Sequence, residues 1–181
     1  MKKEEIKKLT ERYPFLLPRD WTGEVPSDYD YSYVNCFEHG WKDIFLEYCE
    51  NILPWYNSLD EESKKQFYFI ELKEKYGQMR IYPSFTSNEE SKFNHIATIK
   101  SEWTCYSCGK QPKDSKGNHL IWTSRGWIEH LCKDCAIKDI KDDNISLKET
   151  RQKLKKYWKR ETHNKNFYTN EKGKTDLFLV W

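Results

Sequence analysis

Arginine is scarce in this chain, with six among 31 basic residues. The planar guanidinium is the group that grips phosphate and guanine through two bonds at once, so a chain relying on lysine gives up much of that recognition. An excess of charge of either sign is missing too. Against the 31 basic residues stand 29 acidic ones, a formal net charge of +2, and no global field advertises a nucleic-acid partner. No apolar run approaches the roughly 20 residues of a spanning helix, so no membrane partner is expected. The opening MKKEEIKKLTERYPFLLP is charged and lacks the apolar stretch of a secretory leader. The expectation is a cytoplasmic protein, a setting in which disulfides rarely persist. Internal repeats and low-complexity tracts are absent from the sequence as well.

Hydrophobic residues make up only 37% of the chain and mean hydropathy is −0.99. What is abundant is aromatic: eight Trp, twelve Tyr and nine Phe. Rings that each bury roughly 150–250 Å² can build a core from few residues.

The pattern of apolar positions predicts an α+β fold. Residues 2–12 read as a helix stopped at Tyr13-Pro14, and the proline-rich connector after it turns Phe15, Leu16 and Leu17 inward. YSYVNC, 31–36, alternates like a strand. Trp41, Ile44, Phe45, Tyr48, Cys49 and Ile52 recur at helical spacing, so they share one face of a helix that Pro54 is expected to end. Ser58-x-x-Glu61 has the form of a capping box for a brief second helix. FYFIELKEKYGQMRIY reads as a β-hairpin turning at Gly77 and closed by Pro83. Ser87-x-x-Glu90 opens a helix to about Trp103, a further helix runs from Asp134 to about Lys141, and Ser146-x-x-Glu149 opens a basic helix reaching about residue 161. NFYTNEKGKTDLFLVW reads as two short strands around Gly173. The expected organisation is an N-terminal helix and connector (1–30), an α+β core (31–145) and a C-terminal basic helix with strands (146–181).

Two Cys-x-x-Cys pairs carry the strongest chemical signal: Cys105 with Cys108, and Cys132 with Cys135. Two residues between ligands let one turn aim two thiolates at a tetrahedral ion, and two such turns complete a four-cysteine zinc site. HLIWTSRGWIEHL alternates on both sides of Ser124-Arg125-Gly126, a hairpin that brings the pairs together. Gly109 suits a knuckle turn with positive φ, and the second pair sits at a helix start, where the dipole favours thiolates. Knuckle, hairpin and ligands in a helix's first turn make a treble-clef zinc ribbon, expected over 103–141. A redox pair of the thioredoxin type needs a long buried strand before the cysteines, which neither pair has. An iron–sulfur cluster is the other group that accepts four thiolates. Four sulfurs fill the tetrahedron, so the zinc is expected to be structural, with His119 and His130 as flanking hairpin side chains able to donate to a sulfur. Cys49 reads as a buried small hydrophobe and Cys36 as the same.

Three segments, VNCFEHGWKDIFLEYCENI, IELKEKYGQMRIY and CYSCG with RGWIEHLCKDCA, occur in that order. Together they resemble a family of small uncharacterised proteins common in phages, prophages and bacterial genomes. Its members carry an E-x-G-x-G-W-like helix start, a K-E-K-F-G-G-L-R-F-Y hairpin and a C-x-x-C-G to G-W-x-x-x-L-C-x-x-C-A ribbon. Glu38, Gly40, Trp41, Cys49, Glu50 and Ile52 match the first segment. Lys73, Glu74, Lys75, Tyr76, Gly77, Arg80 and Tyr82 match the second, with Gln78 in place of the second glycine. Gly126, Trp127, Leu131 and the four cysteines match the third. The resemblance spans roughly residues 30–136 and implies the fold, the metal and a phage or mobile-element origin, but no reaction. It makes Glu38, Trp41, Lys75 and Arg80 candidates for a shared surface.

The remaining candidates are weighed against plainer roles. RQKLKKYWKR, 151–160, sets Arg151, Lys153, Lys156, Lys159 and Arg160 around Trp158, as a helix tracking phosphates with a ring for stacking would. A solvated amphipathic helix explains the same charges. Glu38 and His39 beside Trp41 could act as an acid–base pair, or cap the helix and face water. A treble clef also hosts nucleases of the HNH type, which use further histidines around a second metal. Here no His-His pair occurs, and His130, Asn144 and His163 are widely spaced. The expected function is a non-enzymatic, zinc-stabilised protein that binds a host or defence protein, with DNA or RNA binding and an HNH-like nuclease as alternatives.

Overall fold

The computed structural model describes residues 3–20, 24–25, 33, 39–140 and 145–163. Among these the chain is mixed helix and sheet: six helices and two small antiparallel sheets. Helix α1 (Lys3–Arg12) leads into a 3-10 turn at Pro14–Leu16. A second 3-10 turn at His39–Trp41 feeds α2 (Lys42–Ser58), followed by α3 (Glu61–Gln66), the hairpin β1 (Phe69–Lys75) and β2 (Gln78–Pro83), and α4 (Asn88–Glu102). The cysteine region adds β3 (His119–Ser124), β4 (His130–Leu131), α5 (Lys133–Ile140), α6 (Leu147–Tyr157) and β5 (Trp158–His163), with sheet order β4-β3-β5. Of the strand expected at 31–36 only Tyr33 is described, buried in the first core; its other residues, Cys36 included, and the strands expected over 166–181 lie outside the described residues.

The first core is built from rings. Phe15 and Leu16 are buried, and Phe15 meets Tyr56, Phe67 and Phe69 edge-on at 5.0, 5.7 and 5.7 Å between centroids. Such tilted pairs align ring edge with ring face, the arrangement favoured by the aromatic quadrupole. Ile44, Phe45, Tyr48, Cys49 and Ile52 line the buried face of α2. In β1 the pairing shifts between Phe69 and Glu71, where Ile70 bulges outward, 62% exposed. The extra residue resets the period-two alternation, so both Phe69 and Leu72 point inward. The turn at Tyr76-Gly77 has positive φ at both residues (56° and 74°), the geometry of tight hairpins.

Helix α4 lies along the edge of this hairpin and satisfies it with side chains. Asn94 Nδ2 donates to the Ile81 carbonyl (3.0 Å), Thr98 Oγ1 donates to the Met79 carbonyl (3.1 Å), and Met79 N–H donates to Ser101 Oγ (2.8 Å). One turn before Asn94 on the same face, Glu90 is fully buried and accepts from Tyr48 Oη (2.7 Å) and Asn94 Nδ2 (2.9 Å). A polar stripe at helical spacing thus faces a strand edge that would otherwise leave backbone groups unpaired.

Three expectations about boundaries are corrected. Pro54 does not end α2. Ile52 and Tyr56 are buried on either side of it and Trp55 packs edge-on against Phe67 at 4.9 Å, burial that outweighs a single lost helix bond. Helix α3 is capped by Asp60, which accepts from Ser63 N–H, rather than by Ser58, whose hydroxyl donates to Trp55 O. The basic helix stops at Tyr157. From Trp158 the chain is extended and pairs with β3 over six residues, because this gives β3 a second edge partner and buries Trp158 beside Leu154. The reciprocal capping box at Ser146 and Glu149 is present.

Candidate metal centre

Helix α4 delivers the chain through Trp103 and Thr104 to Cys105. The knuckle then closes on itself: Cys105 N–H donates to Lys110 O and Gly109 N–H to Cys105 O, both at 2.9 Å. Gly109 stands at φ +74°, a conformation that side chains beyond glycine rarely adopt. From the other side, Tyr106 N–H donates to His130 O (2.9 Å), tying the knuckle to β4, and Cys132 follows as the residue before α5. Cys135 lies in the first turn of α5, where Ala136 N–H donates back to Cys132 O (2.9 Å). Gly40 holds this assembly against the first core. A Cβ there would stand 2.2 Å from the Cys105 carbonyl oxygen and 2.3 Å from that of Tyr106, so only glycine admits the contact. Trp41, beside it, donates from Nε1 to Thr104 O (3.2 Å) and meets the Tyr106 ring at 4.7 Å.

The result brings the four cysteine sulfurs within 4.8 Å of one another, a group able to hold a metal ion. Cys108 and Cys132 Sγ are 3.7 Å apart, far beyond the ~2.05 Å of a disulfide. A tetrahedral ion with bonds of about 2.3 Å to each sulfur separates its ligands by roughly 3.8 Å, so the spacing suits zinc. Burial pushes the Cys105 thiol up to about 12 and raises Cys132 as well. At Cys108 burial opposes ionisation too, but the Lys110 N–H and the neighbouring thiols outweigh it, and its pKa falls. A divalent cation among the four sulfurs would reverse the penalty at the buried pair. Lys110, paired with Asp134 at 3.4 Å, adds positive charge at the rim. Among the described residues this is the only group of three or more His, Cys, Asp or Glu side chains placed to hold a metal.

The other candidates are scattered. Trp41 is fully buried and belongs to the core, which corrects its expected place on a surface. Glu38 lies outside the described residues. Lys75 is exposed over the Tyr76 ring, whereas Arg80 is half-buried and its guanidinium donates to Gln78 Oε1. Arg151 and Lys156 are exposed on α6 and Lys153 is half-buried. Lys159 and Arg160 are not on that helix but in β5, opposite Thr123 and Trp122, and successive strand residues face opposite sides. Lys159 pairs with Glu161 at 3.0 Å, and Trp158 is 3% exposed, so its ring is closed to stacking with a base. His119 begins β3 with His163 as its cross-strand partner, while His130 sits two strands away from β5 on β4. Burial holds His130 below its ordinary pKa, against the raising effect of Glu161 and Glu74.

A small pocket of about 200 Å³ opens next to the knuckle. Its walls come from all three segments quoted above: Trp41 from the first, Glu74 and Gly77 from the second, and Tyr106, Trp127, Glu129 and His130 from the third. The sequence hinted at it only through the order of those segments, since Tyr106 and Glu129 have no distinguishing pattern. No family model, curated protein or solved structure matches the chain. Fold and site together define a mixed helix–sheet protein with a four-cysteine cluster able to bind a metal.

Proposed function

We propose that the four cysteines hold one zinc ion in a treble-clef arrangement, and that the ion is structural. The observation that carries this is the set of four sulfurs within 4.8 Å with a 3.7 Å edge, which fits one closed tetrahedron and leaves no coordination position for an activated water. A multi-iron cluster shares its thiolates among several irons and would spread them further. The zinc fixes a rigid platform, and the protein works by binding another protein rather than by catalysis. Its resemblance to phage and prophage proteins favours a mobile-element origin and a host or defence protein as the target. Affinity capture from a bacterial lysate, with and without nuclease and with zinc-loaded or chelated bait, tests this. A protein retained through nuclease treatment and lost on chelation is the expected result; retention that disappears with nuclease contradicts it.

One observation favours nucleic acid as a second reading. Lys148, Arg151, Lys155, Lys156, Lys159 and Arg160 are all exposed across α6 and β5. With the Trp158 ring buried and Tyr157 the exposed ring on this face, binding there would rest mainly on phosphate contacts. It would fall steeply with salt and be abolished by charge reversal at Arg151, Lys156 and Arg160.

A further inference from the structure

Eight tryptophans occur in the chain, and Trp127 is 75% exposed at the tip between β3 and β4. Such exposure of the largest apolar side chain is unusual, and here it stands at the mouth of the pocket beside the knuckle. Tyr106, backed by the buried Trp41, forms the inner wall, and two carboxylates, Glu74 and Glu129, complete it. Glu74 is held by its carboxylate and Glu129 by its main chain. Glu74 Oε1 accepts from Gly77 N–H at 2.6 Å within the hairpin turn. Glu129 is fixed by its backbone, which donates to Ser124 Oγ (2.8 Å) and accepts from Ser124 N–H (3.1 Å). Among the described residues neither carboxylate is paired with a lysine or arginine. Burial, with the charges of Asp139 and Glu74, makes ionised Glu129 costly. On the floor, Gly77 lies so close to the His130 ring that an added Cβ would come within 2.8 Å of it.

We propose that this pocket takes an arginine side chain presented by a partner polypeptide, an inference that rests on reading the protein as a protein-binding module. Charge decides the class: two unpaired carboxylates beside the rings of Trp127 and Tyr106 attract a cation and repel an anion. Size decides the scale, since about 200 Å³ is below the range of sites for drug-sized ligands and suits one side chain. Shape selects arginine over lysine. A planar guanidinium stacks on an exposed indole while its fork of N–H groups reaches both carboxylates, whereas an ammonium acts as a point charge and stays strongly hydrated. An exposed tryptophan and a buried arginine are also the commonest energetic anchors of protein interfaces.

The test uses the full-length zinc-loaded protein and the Nα-acetyl methylamides of arginine, lysine and citrulline, followed by proton–nitrogen correlation spectra. Arginine methylamide is expected to shift the Trp127 indole and Glu129 amide signals saturably, with a dissociation constant on the order of 1 mM for so small a probe. Lysine should bind several-fold more weakly, and neutral citrulline should give no saturable shift. Glu129→Gln and Glu74→Gln should each weaken arginine at least about fivefold, with zinc content and the remaining spectrum unchanged. Equal responses to citrulline and arginine, equal responses to lysine and arginine, or unchanged affinity in both variants would each overturn the proposal. Those results leave the binding-module reading standing, because that reading falls only if zinc-dependent protein capture fails.

Discussion

Around Phe15, Phe67 and Phe69 the described residues gather seventeen buried side chains; around the cysteines they gather six, two of which are themselves cysteines. The first cluster contains interlocking rings from the N-terminal segment, α2 and the hairpin. The second contains Leu131, Ala136, Leu154 and Trp158 and must order three strands and two helices. Apolar burial of a few side chains, each contributing roughly 1.5–3 kcal/mol, is small beside a backbone ordering cost of about 1–2 kcal/mol per residue. One region is therefore held by its rings, and the other depends on the zinc ion proposed for its four cysteines. Gly40, pressed against the knuckle backbone, is where the two meet.

The comparison is broken most directly by removing the metal. A strong chelator, or Cys132→Ser, should forfeit binding energy on the order of 10 kcal/mol. Hydrogen exchange should then accelerate across β3, β4, β5 and α5 while β1, β2 and α2 stay protected. Uniform loss of protection would show that the two regions are one cooperative unit. The converse change, Phe67→Ala, should cost about 3–5 kcal/mol in the ring core, seen as a lower denaturation midpoint, with zinc affinity little altered. Gly40→Ala should act on both sides at once. Its Cβ meets backbone that cannot move freely, so a loss of about 1–3 kcal/mol is expected together with weaker zinc retention in a competition titration.

Glu90 sharpens the account of the ring core through pH. Burial raises its pKa above the ordinary value, against the hydrogen bonds from Tyr48 and Asn94, so the folded protein holds this proton more tightly than the unfolded chain does. The site's contribution to stability is fullest below the ordinary carboxylate range and declines as pH rises through the raised value. Glu90→Gln removes that decline. Thermal melts with zinc in excess should show the variant gaining on the parent as pH rises out of the ordinary carboxylate range; a constant difference would mean that Glu90 titrates alike in the folded and unfolded states. The smallest effect is expected on the exposed basic face, where Arg151→Glu and Lys155→Glu should each change stability by less than about 0.5 kcal/mol, whatever they do to a ligand.

Legibility in the sequence follows the same division. The α2 face, the hairpin and the cysteine spacing were readable because period 3.6, period two and Cys-x-x-Cys are local patterns. Helix α4 was readable as a helix from Ser87, but not in its role, since Glu90, Asn94, Thr98 and Ser101 look like a solvated face until β2 is laid beside them. Pro54 misled because tertiary burial of Ile52 and Tyr56 overrode a local breaker. RQKLKKYWKR misled for a similar reason: its helical pattern holds to Tyr157, and only pairing with β3 makes Trp158 onward a strand. The pocket was beyond reach, because it joins residues more than 80 positions apart, from Trp41 to His130.

Native mass spectrometry of the purified chain, compared with its mass under denaturing conditions, tests the central claim most directly. The account predicts the mass of the chain plus one zinc ion, less the cysteine protons that the ion displaces, and loss of that ion coincident with loss of the β4-β3-β5 sheet. A folded, metal-free chain, or one carrying several irons, would contradict it.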